Sequence, residues 1–333
     1  GHTGFKGSWM CELLLSKGAI LHGLALAPTE KLSLFDQLKL ADRLDHAIVD
    51  LCDETAVTER VNSCKPSVVF HLAAQSLVKK SYKDPVATWM VNVMGSMHLM
   101  SAVSQLKRPV SVVMVTTDKV YENLESHHSY CETDRLGGWD PYAASKAAVE
   151  IAVSSWRRSF SGINIATVRA GNVIGGGDWA ENRIVPDLAR SFAKKEVLLV
   201  RNPESTRPFQ HVLDPLAGYL LLGEKLSTGD RSWQCAFNFG PNLAEVCSVK
   251  NLVETAIKIW PGKWSEVLTL DVYQESDHLS LDSRKANQEL GWYPHWNMHR
   301  SIAETVRWYK EFSEGADPSD LIQSQLYSHT TKS

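Results

Sequence analysis

Two runs of this sequence, SVVFHLAA at 67–74 and SVVMVTT at 111–117, are apolar without alternation. A strand with one face in water alternates apolar and polar residues, so an unbroken run of this length reads as a strand buried on both faces. Such strands belong to parallel sheets, whose crossover connections need helices on either side. The intervening chain supplies them. PVATWMVNVMGSMHLMSAVSQL (85–106) has helical length and spacing, as does DPYAASKAAVEIAVSSWRRSF (140–160), with Asp140 as the expected N-cap and Pro141 at the first helical position. AILHGLAL (19–26) reads as an earlier strand and INIATVRAGNVIG (163–175) as a later one. This β-α-β-α rhythm predicts an α/β fold with a doubly wound parallel sheet.

After residue 175 the rhythm breaks into longer irregular loops, then a helix over LDPLAGYLLLGEKL, mixed short elements and a helix near 299–313. The polar tail beyond Gly315 is expected to fray. A chain of 333 residues suits one large α/β unit or two domains. The formal net charge of -3, with no basic block, argues against a nucleic-acid partner. No run approaches the ~20 apolar residues of a membrane helix. Six cysteines, at 11, 52, 64, 131, 235 and 247, form no C-x-x-C pair, which favours a reduced, cytoplasmic protein.

GHTGFKG opens the sequence with Gly1, Gly4 and Gly7. Glycines at a strand-to-helix turn let backbone N–H groups approach a pyrophosphate at the N-terminus of the next helix, here SWMCELLLSKG. A strand is expected before such a loop, so the first strand of a dinucleotide-binding unit is expected to be missing from this sequence. The acid that usually meets the adenosine ribose falls at Ala27, which leaves NAD against NADP open, while Asp50 stands where an acid meets the adenine ring. Further on, Thr117 closes a strand, and Tyr142 and Lys146 share one helix face at Y-x-x-x-K spacing. A tyrosine is a poor base at neutral pH, but a neighbouring ammonium and a cationic nicotinamide favour its phenolate, which then takes a proton from a sugar hydroxyl as hydride leaves the same carbon.

The glycine loop, Thr117, Tyr142 and Lys146 together resemble the extended short-chain dehydrogenases/reductases that act on nucleotide sugars, and the resemblance runs over nearly the whole chain. HLAA at 71–74, followed by a helix bearing Asn92, strengthens it. It implies a Rossmann domain at 1–174 and a smaller mixed α/β nucleotide-sugar domain at 175–333, with 209–240 returning to the first. It also implies a dinucleotide held by Gly1, Gly4, Phe5, Gly7, Asp50, Leu51, Ala73, Ala74, Asn92, Tyr142 and Lys146.

TTDKVYEN (116–123) separates members of this superfamily. A 4-epimerase reduces its keto sugar from the other face and needs no further acid–base pair. A 4,6-dehydratase must also remove the C5 proton and protonate the C6 hydroxyl. Asp118 and Lys119 directly follow Thr117, and Asp-Lys in place of the more usual Asp-Glu resembles the cytidine-diphosphate-glucose branch. Segments 168–187, 201–219 and 281–294 are similar to the same branch, with Ser76 and Phe209 standing where proline and tryptophan are expected. The resemblance implies CDP-glucose as substrate, NAD as cofactor, deoxysugar synthesis as the setting and a homodimer or homotetramer. It assigns Thr117, Asp118, Lys119, Tyr142 and Lys146 to catalysis, and Gln75, Asn172, Trp179, Arg183 and Arg207 to the substrate. An epimerase, a dehydratase for another nucleotide, and a non-catalytic nucleotide-binding regulator remain as alternatives.

Overall fold

Val112, Val113 and Met114 are completely buried at the centre of a four-stranded parallel sheet, as the unbroken apolar run requires. The computed structural model describes residues 1–123, 128–245, 247–267 and 279–331; the remainder of the two expected lobes lies outside the described residues. Across this sheet the strands run Ala236–Phe239, Ile163–Ala170, Val110–Val115 and Val68–His71. A second parallel pair, His22–Ala25 with Asp45–Ile48, completes the α/β architecture. Gly1 sits at the seam between the two pieces. Its amino group bonds to the Leu24 carbonyl, and a Cβ on Gly1 would lie 2.5 Å from Ala73 N.

Helices cover both faces. Phe5–Leu15 follows the glycine loop, and its Trp9 and Met10 join a large apolar core with Val113, Val168 and Leu216. On the other face, Leu99 and Met100 of helix Gly95–Ser104 and Val149 and Val153 of helix Pro141–Ser159 pack on Val112 and Ile165. Each fully buried aliphatic side chain contributes about 1.5–3 kcal/mol through removal from water. Asp140 caps the second helix by accepting from Ala143 N at 2.9 Å, with Pro141 at its first turn as expected. The expected helix over 85–106 is interrupted by one π-helical turn at Met90–Met94. Helix Leu213–Ser227 and strand Ala236–Phe239 pack and pair with the main sheet.

Beyond Gly315 the chain does not fray through residue 331. Pro318–Thr330 is a helix capped by Asp317, and it buries Ile322 and Leu326 in the main core. Gln323 donates to Glu12 at 2.9 Å, and the same carboxylate receives Arg43. His329 pairs with the buried Asp214 at 2.9 Å. Polar composition hid two apolar anchors one turn apart and a histidine with a buried partner.

Candidate active site

A cleft of about 860 Å³ opens over the C-terminal ends of the parallel strands, where ligands of open α/β sheets bind. Gly1, Gly4, Phe5 and Gly7 form one wall. A Cβ on Gly7 would lie 2.0 Å from the Gly1 carbonyl oxygen, so the loop closes only with glycine there. Gly4 differs: the nearest atom to a Cβ is Gly1 O at 3.7 Å, so its missing side chain keeps open the space before the helix N-terminus. That cradle, with free N–H groups of the first turn, fits a pyrophosphate. Ala73 and Ala74 line the cleft beside Gly1, and Asp50 and Leu51 line its far end. Asp50 Oδ1 accepts from Cys52 N at 2.9 Å, and Ala27 is exposed outside the cleft.

Thr117, Asp118, Lys119, Tyr142 and Lys146 all line the cleft floor. Strand Val110–Val115 delivers the first three, because the chain leaves the sheet at Thr116 and Asp118–Val120 make a single tight turn. Helix Pro141–Ser159 delivers the other two on one face. Thr117 Oγ1 donates to Asp118 Oδ1 at 2.9 Å, and Lys146 Nζ donates to the Val115 carbonyl at 3.0 Å. Burial pushes the Tyr142 hydroxyl up to about 12, with its hydrogen bond to Thr117 opposing the shift. Burial and then the charge of Lys6 bring Lys146 down to about 8.

Asp118 is 2% exposed, and its Oδ2 is buried with no hydrogen-bond partner among the described residues. Burial raises its pKa, against the opposing charges of Lys119, Lys6 and Arg207 and the Thr117 bond. The environment therefore favours a protonated carboxyl with one oxygen free for a ligand.

Arg183, Arg207 and Asn172 also reach the cleft. Arg183 Nη1 bonds Asp178 Oδ2 at 2.9 Å, which fixes the guanidinium at the wall and raises its pKa. Arg207 belongs to a short strand paired with Cys247–Ser248. Three expected residues do not line the cleft. Asn92 is fully buried and acts as a bracket: it accepts from Gln75 N at 2.8 Å and donates to Gln75 O at 3.1 Å and Ser145 Oγ at 2.9 Å. Gln75 turns its amide onto Leu77 of its own loop and Thr88 of helix Pro85–Trp89, with contacts of 2.8–3.1 Å. Trp179 packs its ring on Tyr309 and Phe312, on the apolar side of the loop whose polar side carries Arg183.

Sequence reasoning missed Lys6. It lies between Gly4 and Gly7 and lines the cleft, brought down to about 8 by burial and by Arg183, with Asp118 opposing. The signal was a lone cation inside a loop read only for its glycines. Arg201 and Lys80 also line the cleft.

Known proteins are similar to this chain over most of its length. The family model described as GDP-mannose 4,6 dehydratase matches residues 1–305. A CDP-glucose 4,6-dehydratase of Salmonella typhimurium is 41% identical over 327 residues, covering 95% of this chain and 91% of that protein. Among solved structures, DesIV, a dTDP-glucose 4,6-dehydratase from Streptomyces venezuelae with NAD and TYD bound, superposes with TM-score 0.79 at 23% identity, covering 96% of this chain and 98% of that one. The UDP-glucose 4-epimerase of Thermus thermophilus in complex with NAD gives TM-score 0.81 at 24% identity, covering 95% and 98%.

Proposed function

The chain belongs to the GDP-mannose 4,6 dehydratase family, and we propose that it converts CDP-glucose to CDP-4-keto-6-deoxyglucose. The observation that carries this reading is the buried Asp118, with its raised pKa and bare Oδ2, beside Lys119 and directly after Thr117. A 4-epimerase has no step that uses such a pair.

NAD, the cofactor in this reading, would supply the hydride acceptor for C4 and the hydride donor for C6, so that none is consumed. Gly1, Gly4, Phe5 and Gly7 would hold its pyrophosphate, with Asp50 at the adenosine end. The residues lining that end, Ala25, Leu26, Val49, Asp50 and Leu51, include no cation for a 2′-phosphate, which favours NAD over NADP. Thr117 and Tyr142 meet the C4 hydroxyl, and Tyr142 takes its proton. Lys146, charged below about 8, holds the helix to the strand end; burial keeps the Tyr142 hydroxyl up at about 12, and a bound cationic nicotinamide would favour its phenolate. Once C4 is a ketone the C5 proton is acidic. Lys119 takes that proton, and Asp118 gives its own to the C6 hydroxyl, which leaves as water. Burial favours the protonated form of Asp118 that this step needs, against the charge of Lys119. Arg207 and Asn172 hold the sugar diphosphate, where a guanidinium suits phosphate oxygens. Asn92 and Gln75 serve by bracing the segment between residues 75 and 92.

We assign residues 1–174 and the returning 209–240 to the dinucleotide lobe, and the rest of 175–333 to the sugar-nucleotide lobe. Exposed Val86, Trp89, Met90 and Ile151 lie on the packed pair of helices formed by Pro85–Trp89 with its π-turn and Pro141–Ser159. That apolar face suits a homodimer, alone or within a homotetramer. Among the described residues no helix is long and apolar enough to cross a membrane, and the six free cysteines suit the cytoplasm.

The test is incubation with CDP-, UDP- and dTDP-glucose in the presence of NAD. The expected result is a 4-keto-6-deoxy sugar formed fastest from CDP-glucose. A C4 epimer with C6 oxygen retained, or no turnover of any of the three, overturns the reading.

A further inference from the structure

One buried ion pair ties the acid–base turn to the helix that carries Tyr142 and Lys146. Glu150 lies four residues after Lys146 on that helix and is 3% exposed. It accepts from Arg169 Nε at 3.0 Å and Nη2 at 2.9 Å, from Thr167 Oγ1 at 2.7 Å and from Thr116 Oγ1 at 2.6 Å. Thr116 is the residue before Thr117. At the other end of the turn, the Tyr121 hydroxyl accepts from Arg169 Nη1 at 2.8 Å and donates to Asn238 Oδ1 at 2.6 Å. Tyr121 is two residues past Lys119. The entry and the exit of the Asp118–Lys119 turn are therefore fastened to the same ion pair.

The bonds from backbone N–H groups within the turn are long. Val120 N to Thr117 O and Lys119 N to Thr117 Oγ1 are both 3.4 Å. Backbone pairs hold the flanks, Thr116 N to Val168 O at 2.9 Å and Gly137 N to Val120 O at 2.8 Å, but neither reaches the helix with Tyr142. Net stability is a poor reason for a buried ion pair, since apolar residues of equal volume often do as well. Its geometric consequence is specific: it registers the groups acting at C5 and C6 against those acting at C4.

We propose that Glu150 and Arg169, acting through Thr116 and Tyr121, are positioning residues for water loss. They set where Asp118 and Lys119 stand relative to the oxidised sugar. This rests on the dehydratase reading above. A displacement of about 1 Å in a catalytic group costs up to about 100-fold in rate. Loosening either end of the turn therefore slows water loss, while C4 oxidation, run by Tyr142 and Lys146 from an intact helix, continues.

The experiment is single-turnover reaction of NAD-loaded protein with CDP-glucose, following reduced nicotinamide by absorbance and the 4-keto-6-deoxy product by quenching. Thr116→Val removes the entry tie and Tyr121→Phe the exit tie, leaving the ion pair itself in place. For both variants the expected result is C4 oxidation at the wild-type rate, water loss slowed by about 10–100-fold, and transient accumulation of reduced nicotinamide. Thr116→Ser, which keeps the hydroxyl, restores the wild-type pattern. Equal slowing of both steps, or water loss at the wild-type rate in a folded variant, overturns the proposal. Should Thr116→Val not fold, Tyr121→Phe reads the same quantity from the other end. A wild-type protein that neither reduces nicotinamide nor forms product from CDP-glucose sinks the dehydratase reading instead, so the two failures are distinct.

Discussion

Asp118 and Glu150 are both carboxyl groups buried beneath one cleft, 2% and 3% exposed, yet their surroundings are opposite. Glu150 has four donors within 3.0 Å, one pair of them from a guanidinium. Burial alone would push its pKa up, but Arg169, Thr116 and Thr167 hold it below the usual range. Asp118 accepts one hydroxyl and leaves Oδ2 bare, so burial wins and its pKa is raised. Equal burial therefore leaves one carboxyl shifted toward its anion and the other toward its protonated form, and the donors around each decide which.

The largest test of that difference is Asp118→Asn. It is expected to slow water loss by about 10²–10⁴-fold, the range of a lost general acid, while C4 oxidation continues. Thermal stability should hold or rise. Quenched single turnovers check the first and a melting curve the second; equal loss of both steps would make Asp118 another positioning group. Glu150→Gln should instead cost stability. Arg169 is left buried without its counter-charge, so the expected loss is about 3–5 kcal/mol in urea unfolding. A loss below about 1 kcal/mol would erase the contrast between the two carboxyls.

The pH dependences have opposite signs. With its folded pKa lowered, Glu150 contributes stability that is complete above its unfolded value near 4.3 and lost as pH falls through the folded one. With its folded pKa raised, Asp118 costs the fold stability as pH rises from its unfolded value near 3.9 through the raised folded value. The stability gained by Asp118→Asn should thus be present at neutral pH and shrink in acid; a pH-independent difference breaks the assignment. The smallest effect is expected from Gly171→Ala. Its methyl would lie 2.6 Å from Pro208 Cγ and 3.0 Å from Asp118 Oδ2, pressing on the bare oxygen. About tenfold slower water loss is expected, with unfolding little changed. Unchanged turnover would show that the space beside Oδ2 is not used.

The sheet, the glycine loop and the Thr117–Tyr142–Lys146 set were legible in the sequence because each is written locally, as an apolar run, a spacing of glycines or one turn of a helix. The orientation of a polar side chain is not local. Asn92 and Gln75 occupy the expected positions but satisfy each other and their own loop, and Trp179 faces the core while its neighbour Asp178 faces the cleft. Glu150 and Arg169 were invisible for the same reason: their pairing joins a helix to a strand across 19 residues and gives no spacing signal. The docking of the last helix depends on His329 meeting Asp214, 115 residues away.

Whether this cleft removes water or inverts a hydroxyl is decided by CDP-glucose carrying deuterium at C4. The deuterium is expected to move to C6 of a 4-keto-6-deoxy product, with C5 taking its new hydrogen from solvent. Deuterium returned to C4, with oxygen still on C6, would contradict water loss.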